Sequence, residues 1–173
     1  MPAPDTIDLK RDRDLEGRES HPWIRRALLA LVGVPLVLGL ANVFGQRPET
    51  TRAAGGGATL AVHAPAHARS GLLYTASYRV SAHSGVKKAT LVLDPGWVSG
   101  MQVNSLTPQP VSEGSHDGKL VLVLGHVPAG QSYVQFIEFQ VNPTTVGTRR
   151  QNVELLDGTK RLAVARRTLT VYP

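Results

Sequence analysis

Gly114-Ser115-His116-Asp117-Gly118 sets serine, histidine and aspartate, the three side chains of a hydrolytic triad, next to one another. A triad requires its members to converge in space, with the imidazole bonded to both partners. Neighbours in an extended chain point apart, and the flanking glycines mark a turn, so a turn is expected here. His63-Ala64-Pro65-Ala66-His67 holds two imidazoles four residues apart. On a helix they would share a face, but Pro65 and the surrounding alternation indicate extended chain. There, at about 3.3 Å per residue, they lie roughly 13 Å apart. One zinc ion binding each nitrogen at about 2.1 Å cannot reach both. The chain has no cysteine, which removes disulfides and thiolate metal sites. Phosphate-cradling glycine loops, nucleophile elbows and dinucleotide fingerprints are absent from the sequence. No catalytic residue, metal ligand or cofactor is assigned, and a non-enzymatic protein is expected.

Four basic doublets stand out: Lys87-Lys88, Arg149-Arg150, Lys160-Arg161 and Arg166-Arg167. Adjacent strand residues point to opposite faces, so one member of each pair turns inward unless it lies at a turn, bulge or edge. Arg149-Arg150 and Lys160-Arg161 are expected to flank a late hairpin. Arg166-Arg167 interrupts a regular strand and predicts a bulge or an edge. The doublets either protect edges from pairing or form a basic face for lipid headgroups or an anionic envelope polymer. Aromatic residues do not interleave with them, which argues against nucleic acid. Trp97 follows Pro95-Gly96 and is either a contact aromatic or a lid folded back on a core.

The 173 residues carry a net charge of +6. The first 26 residues are balanced, with Lys10, Arg11, Arg13, Arg18, Arg25 and Arg26 against Asp5, Asp8, Asp12, Asp14, Glu16 and Glu19. The whole excess therefore falls after residue 46. Residues 27–44, ALLALVGVPLVLGLANVF, contain no charge. As a helix they span roughly 27 Å, close to a bilayer's hydrocarbon thickness. Arg25 and Arg26 at the N-terminal end, with Trp23 as an interface anchor, predict a cytoplasmic N-terminus and an outer C-terminus. The run exceeds the apolar core of a cleavable signal, and 42–46 is a poor cleavage context. An uncleaved transmembrane helix over 23–46 follows, with Pro35 at mid-span. Ala41 and Gly45 make a small-xxx-small pair suited to a second helix. Residues 1–22, polar and without apolar periodicity, are expected to be a disordered cytoplasmic tail. Residues 47–57, with three consecutive glycines, are expected to be a flexible linker.

From residue 58 the period becomes two. In LLYTASYRVSA, Tyr74, Ala76, Tyr78 and Val80 alternate with Thr75, Ser77, Arg79 and Ser81, marking a half-buried strand. KLVLVLGHV is apolar on both faces, as for a central strand or one covered on its second side. In SYVQFIEFQVNP, Tyr133, Ile137, Phe139 and Val141 share one face. Asp157-Gly158 signals a hairpin. Seven or eight strands at short intervals over 58–173 predict an all-β, antiparallel sandwich. The run LVLDPGW, then LVLVLGHVPAGQSYVQFIEFQVNPTT with its Pro128-Ala129-Gly130-Gln131-Ser132 turn, resembles the Ig-like conserved-repeat domains of bacterial surface proteins. The resemblance covers 58–173 and implies an Ig-like fold; its motifs encode turns and strands and designate no active residue.

These readings combine into a single-pass protein of the cytoplasmic membrane with its Ig-like domain outside. Two functions fit. One is an interaction module, accessory to another membrane or envelope protein. The other is binding of an anionic envelope polymer or lipid headgroups through the basic β domain.

Overall fold

A computed structural model describes residues 21–41 and 46–173; residues 1–20 of the tail expected over 1–22, and Gly45 of the small-residue pair, lie outside the described residues, whereas His21 and Pro22 begin a helix. The chain divides into two units, one ending at Val43 and the other beginning at Phe44. In the first, α1 (His21–Leu40) contains Pro35. Its stretch Pro22–Leu40, of mean hydropathy 1.7, is long and apolar enough to cross a membrane. The Arg26 guanidinium lies 5.4 Å from the centre of the Trp23 ring.

The second unit is an Ig-like β-sandwich. Its strands are β1 (Pro48–Gly55), β2 (Ala58–Pro65), β3 (His67–Arg69), β4 (Leu73–Ala82), β5 (Val86–Leu93), β6 (Met101–Thr107), β7 (Ser112–His116), β8 (Lys119–Val127), β9 (Ser132–Val141), β10 (Gly147–Arg150), β11 (Val153–Asp157), β12 (Lys160–Ala165) and β13 (Thr168–Tyr172). One five-stranded sheet has the order β1-β2-β4-β9-β6 and another β12-β11-β5-β8-β7; a three-stranded sheet runs β10-β13-β3. Described strands number thirteen rather than seven or eight, because chain segments break as they pass between sheets and because β1 had not been expected. The pairing is antiparallel except between β13 and β3, which run parallel.

The linker expected over 47–57 is instead the first hairpin. Pro48–Gly55 pairs along its whole length with β2, from Pro48 opposite Pro65 to Gly55 opposite Ala58. Gly56 and Gly57 occupy the turn with φ of 54° and 77°, the left-handed conformation a two-residue hairpin turn needs at both positions. The consecutive glycines thus encode a tight turn. Thr50 Oγ1 lies 2.9 Å from His63 Nδ1 across the pair, and Ala53 packs against the core.

The alternation in β4 and β9 appears as expected: Tyr74, Ala76, Tyr78 and Val80 are buried, as are Ile137, Phe139 and Val141. They meet Leu91, Leu93, Leu122, Val153 and Leu155 of the other large sheet in one hydrophobic core. Trp97 closes that core. It leaves β5 on a single helical turn, Pro95–Trp97, and is fully buried. Its ring sits 5.4 Å from Tyr78, edge-on, and 5.2 Å from Phe139. Aromatic clusters of this geometry stabilise beyond their area alone. Trp97 is therefore a core lid and not a contact aromatic.

Burial raises the Tyr74 hydroxyl to about 12, a hydrogen bond from Gln151 opposing part of the effect. Burial also raises Tyr78 well above its usual value. In both, the folded state holds its proton more tightly than the unfolded chain, whose tyrosines ionise near pH 10. Their contribution to stability is complete below about pH 10 and is lost as pH rises towards 12. Absorbance titration at 295 nm should show two of the four tyrosines resisting ionisation until the fold opens, with chemical stability falling over the same interval.

A candidate basic groove beside a buried arginine

The four doublets fall at two ends of β11. Lys87 and Lys88 are both exposed, because a bulge between Val86 and Ala89 suspends the alternation. Asp157 Oδ1 accepts a hydrogen bond from the Lys88 amide at 2.8 Å and holds the bulge. Lys160 pairs with the same Asp157 across the Asp157-Gly158 turn, so Lys160-Arg161 begins the second arm of the expected hairpin. These two doublets share one end of the strand.

Arg149-Arg150 and Arg166-Arg167 meet at the other end. Arg149 and Arg150 close β10, opposite Leu169 and Thr168 of β13, rather than flanking the β11–β12 hairpin. Arg166-Arg167 is the break between β12 and β13, where the chain leaves one sheet for another. The interruption expected there is a change of sheet. Gln151-Asn152 makes the corresponding passage between β10 and β11. The two passages are tied together: the Gln151 amide donates to Arg167 O at 2.9 Å, and the Arg167 amide donates to Asn152 Oδ1 at 3.2 Å.

Arg167 turns inward, as alternation requires of one member of the doublet, and is 9% exposed. Nη2 donates to Pro65 O at 2.6 Å and Ala64 O at 3.1 Å. Its guanidinium carbon lies 5.2 Å from the centre of the Trp97 ring. Burial lowers its pKa, and the electrostatic influence of Tyr78, Tyr74 and Glu49 opposes the shift. Arg167 therefore contributes to folding and is withdrawn from the expected basic surface. Arg149 is half-buried, with Nη1 bonded to Ser99 O.

Asn152, which the sequence does not single out, is the hub of this corner. Its main-chain oxygen accepts from the Asp94 amide at 3.0 Å and from Trp97 Nε1 at 3.3 Å. Its side-chain nitrogen donates to Asp94 Oδ2 at 2.8 Å. A Cβ at Gly96 would collide with the Arg150 carbonyl, so glycine lets the Pro95–Trp97 turn lie against β10. Above this floor lies a concavity of about 440 Å³ lined by Arg150, Asn152, Arg166, Arg167 and Thr168. A second hollow of about 480 Å³ shares Arg150 and adds Asp94 and Arg149. The donors suit an oxyanion.

Ser115, His116 and Asp117 lie at the β7–β8 hairpin. Asp117 and Gly118 take positive φ, and His116 Nε2 is 3.3 Å from Asp117 Oδ2 with both side chains largely exposed. His63 bonds Thr50 in the first hairpin, whereas His67 stacks on Tyr172 at 5.8 Å in the third sheet. Among the described residues, no group of three or more His, Asp or Glu side chains converges as a metal site would require.

No protein-family model matches the chain, and no curated protein matches it in sequence. Among solved structures it is similar to a non-cellulosomal cohesin from the hyperthermophilic archaeon Archaeoglobus fulgidus, at 14% identity and a TM-score of 0.41, over 72% of this chain and 92% of that one. It is also similar to an uncharacterized protein from Nocardia farcinica with an immunoglobulin-like fold, at 14% identity and a TM-score of 0.40, over 72% and 98% of the two chains.

Replacing Arg167 with Met keeps much of the side-chain volume but leaves the Ala64 and Pro65 carbonyls without their donor. Chemical denaturation should show a loss of about 2–4 kcal/mol, against about 0.5 kcal/mol or less for Arg166→Met at the exposed neighbouring position.

Proposed function

We propose that this protein is a membrane-anchored, non-enzymatic interaction module. In this reading α1 anchors it in the cytoplasmic membrane with its N-terminus inside. The sandwich lies outside and serves as an accessory subunit of another membrane or envelope protein. The observation that carries the reading is the row of apolar side chains on the outer face of the second large sheet. On the first, the exposed Leu73 and Phe136 stand among Thr59, Thr75, Ser77, Ser81 and Gln140. On the second, Val164, Val92 and Val121 lie in one cross-strand row, with Leu156 and Val123 in the next.

Those five apolar side chains are only half-buried. KLVLVLGHV, expected as a central or doubly covered strand, is an interior strand next to the edge strand β7, and its outward valines remain accessible. Glu154 in the first row lies 3.8 Å from Lys119 and 3.9 Å from Arg161, which ends the second row opposite Leu156. An apolar patch with its charge already paired has the composition of a protein contact surface. The polar donors gathered at the basic groove have no nucleophile–base pair beside them, which favours binding over catalysis. The groove also favours a second reading, binding of an anionic envelope polymer or lipid headgroups.

The full-length protein, crosslinked in its native membrane and purified in mild detergent, should capture a protein partner through this face. Val121→Asp should abolish that capture while the denaturation midpoint stays within the range of an exposed substitution. Thr75→Asp, on the opposite sheet, should leave capture intact. Equal capture by all three proteins would overturn the assignment of the face.

A further inference from the structure

Arg150 and Arg166 differ from the other arginines of the corner. Arg149 bonds Ser99, and Arg167 bonds Ala64 and Pro65. The exposed guanidiniums of Arg150 and Arg166 have no hydrogen-bond or ion-pair partner among the described residues, yet both line the same concavity. Their backbones are fixed from two directions. Arg150 is in register with Thr168, and Arg166 is held between paired Ala165 and Arg167, whose side chain is locked beneath. The exposed Thr168 adds a hydroxyl to the lining and Asn152 an amide. Asp94, which lines the adjoining hollow, already receives Asn152 Nδ2 at 2.8 Å and lies 3.9 Å from Lys119. Glu49 acts electrostatically on Arg167 beneath the lining. The positive charge over the groove is therefore largely uncompensated by its own surroundings.

We propose that this groove is an anion subsite, in which Arg150 and Arg166 grip an oxyanion carried on a linear envelope polymer. The proposal rests on the reading of the sandwich as a binding module and deepens its second form. Two guanidiniums on neighbouring segments present paired N–H forks, the geometry that matches phosphate or carboxylate oxygens. A polymer chain can enter a concavity flanked by strands, and Arg150 continues into the second hollow, so successive anionic groups have a track to follow. A flat bilayer surface contacts the rims of such a groove and leaves its floor empty.

The test uses the full-length protein in nonionic detergent. Fluorescence anisotropy measures its binding to labelled polyphosphate and to labelled poly(glutamate), two probes that separate phosphate from carboxylate as the gripped group. Arg150→Gln/Arg166→Gln is compared with Lys87→Gln/Lys88→Gln, which removes the same two charges at the other end of β11. The groove variant should weaken binding at least about tenfold at about 0.15 M ionic strength, where the Debye length is about 8 Å, with a shallower dependence on salt. The lysine variant should change it less than about twofold, because charges beyond a Debye length are screened. Equal weakening by both variants would overturn the subsite in favour of diffuse attraction. Failure to bind either probe would also overturn it, as would groove-dependent binding to anionic vesicles alone. None of these results touches partner capture through Val121, so the module reading stands or falls separately.

Discussion

A single buried guanidinium holds this sandwich together where its sheets exchange strands. Arg167 lies over the Trp97 ring and donates to the carbonyls of Ala64 and Pro65. Ala64 and Pro65 end β2, whose continuation becomes β3; Arg167 itself stands between β12 and β13. The same side chain therefore fixes two of the three segments that pass from a large sheet to the small one, β2–β3 and β12–β13. An arginine suits this task because its planar fork reaches two acceptors at once while its face stacks on an indole. Desolvation is the cost, visible in its lowered pKa, and the carbonyl bonds offset it.

The surface features follow from that anchoring. With Arg167 turned in, Arg166 must turn out, and with β10 paired to β13, Arg150 arrives beside it. Asn152 closes the arrangement by binding Asp94, Trp97 and Arg167 through four separate hydrogen bonds. The exposed arginines thus owe their proximity to polar groups buried below them. The apolar outer face of the second sheet arises differently, from strand pairing alone, which aligns Val92, Val121 and Val164 in one row.

Much of this was legible in the residues. Period-two alternation identified β4 and β9 and the side chains that face the core, because one buried face imposes that pattern. Asp157-Gly158 and Gly114-Ser115-His116-Asp117-Gly118 announced turns through their chemistry. The first hairpin was misread because Gly55-Gly56-Gly57 satisfies a spacer and a two-residue turn equally, and only pairing with β2 separates them. Arg166-Arg167 signalled an interruption, but inward and outward members of a doublet look alike until the partner carbonyls are placed. Asn152 and Gln151 were missed for a related reason. They belong to no periodic segment, and their partners lie tens of residues away, as with Trp97 Nε1 bonded to Asn152 across 55 positions.

Arg167 and Trp97 act as one unit, so the strand exchange and the core are energetically coupled. A double-mutant cycle on the full-length protein, with Arg167→Met, Trp97→Leu and the pair followed by urea denaturation, measures that coupling directly. The structure predicts a coupling of about 1–2 kcal/mol, as for a desolvated cation held over an indole. Strict additivity of the two substitutions would contradict it.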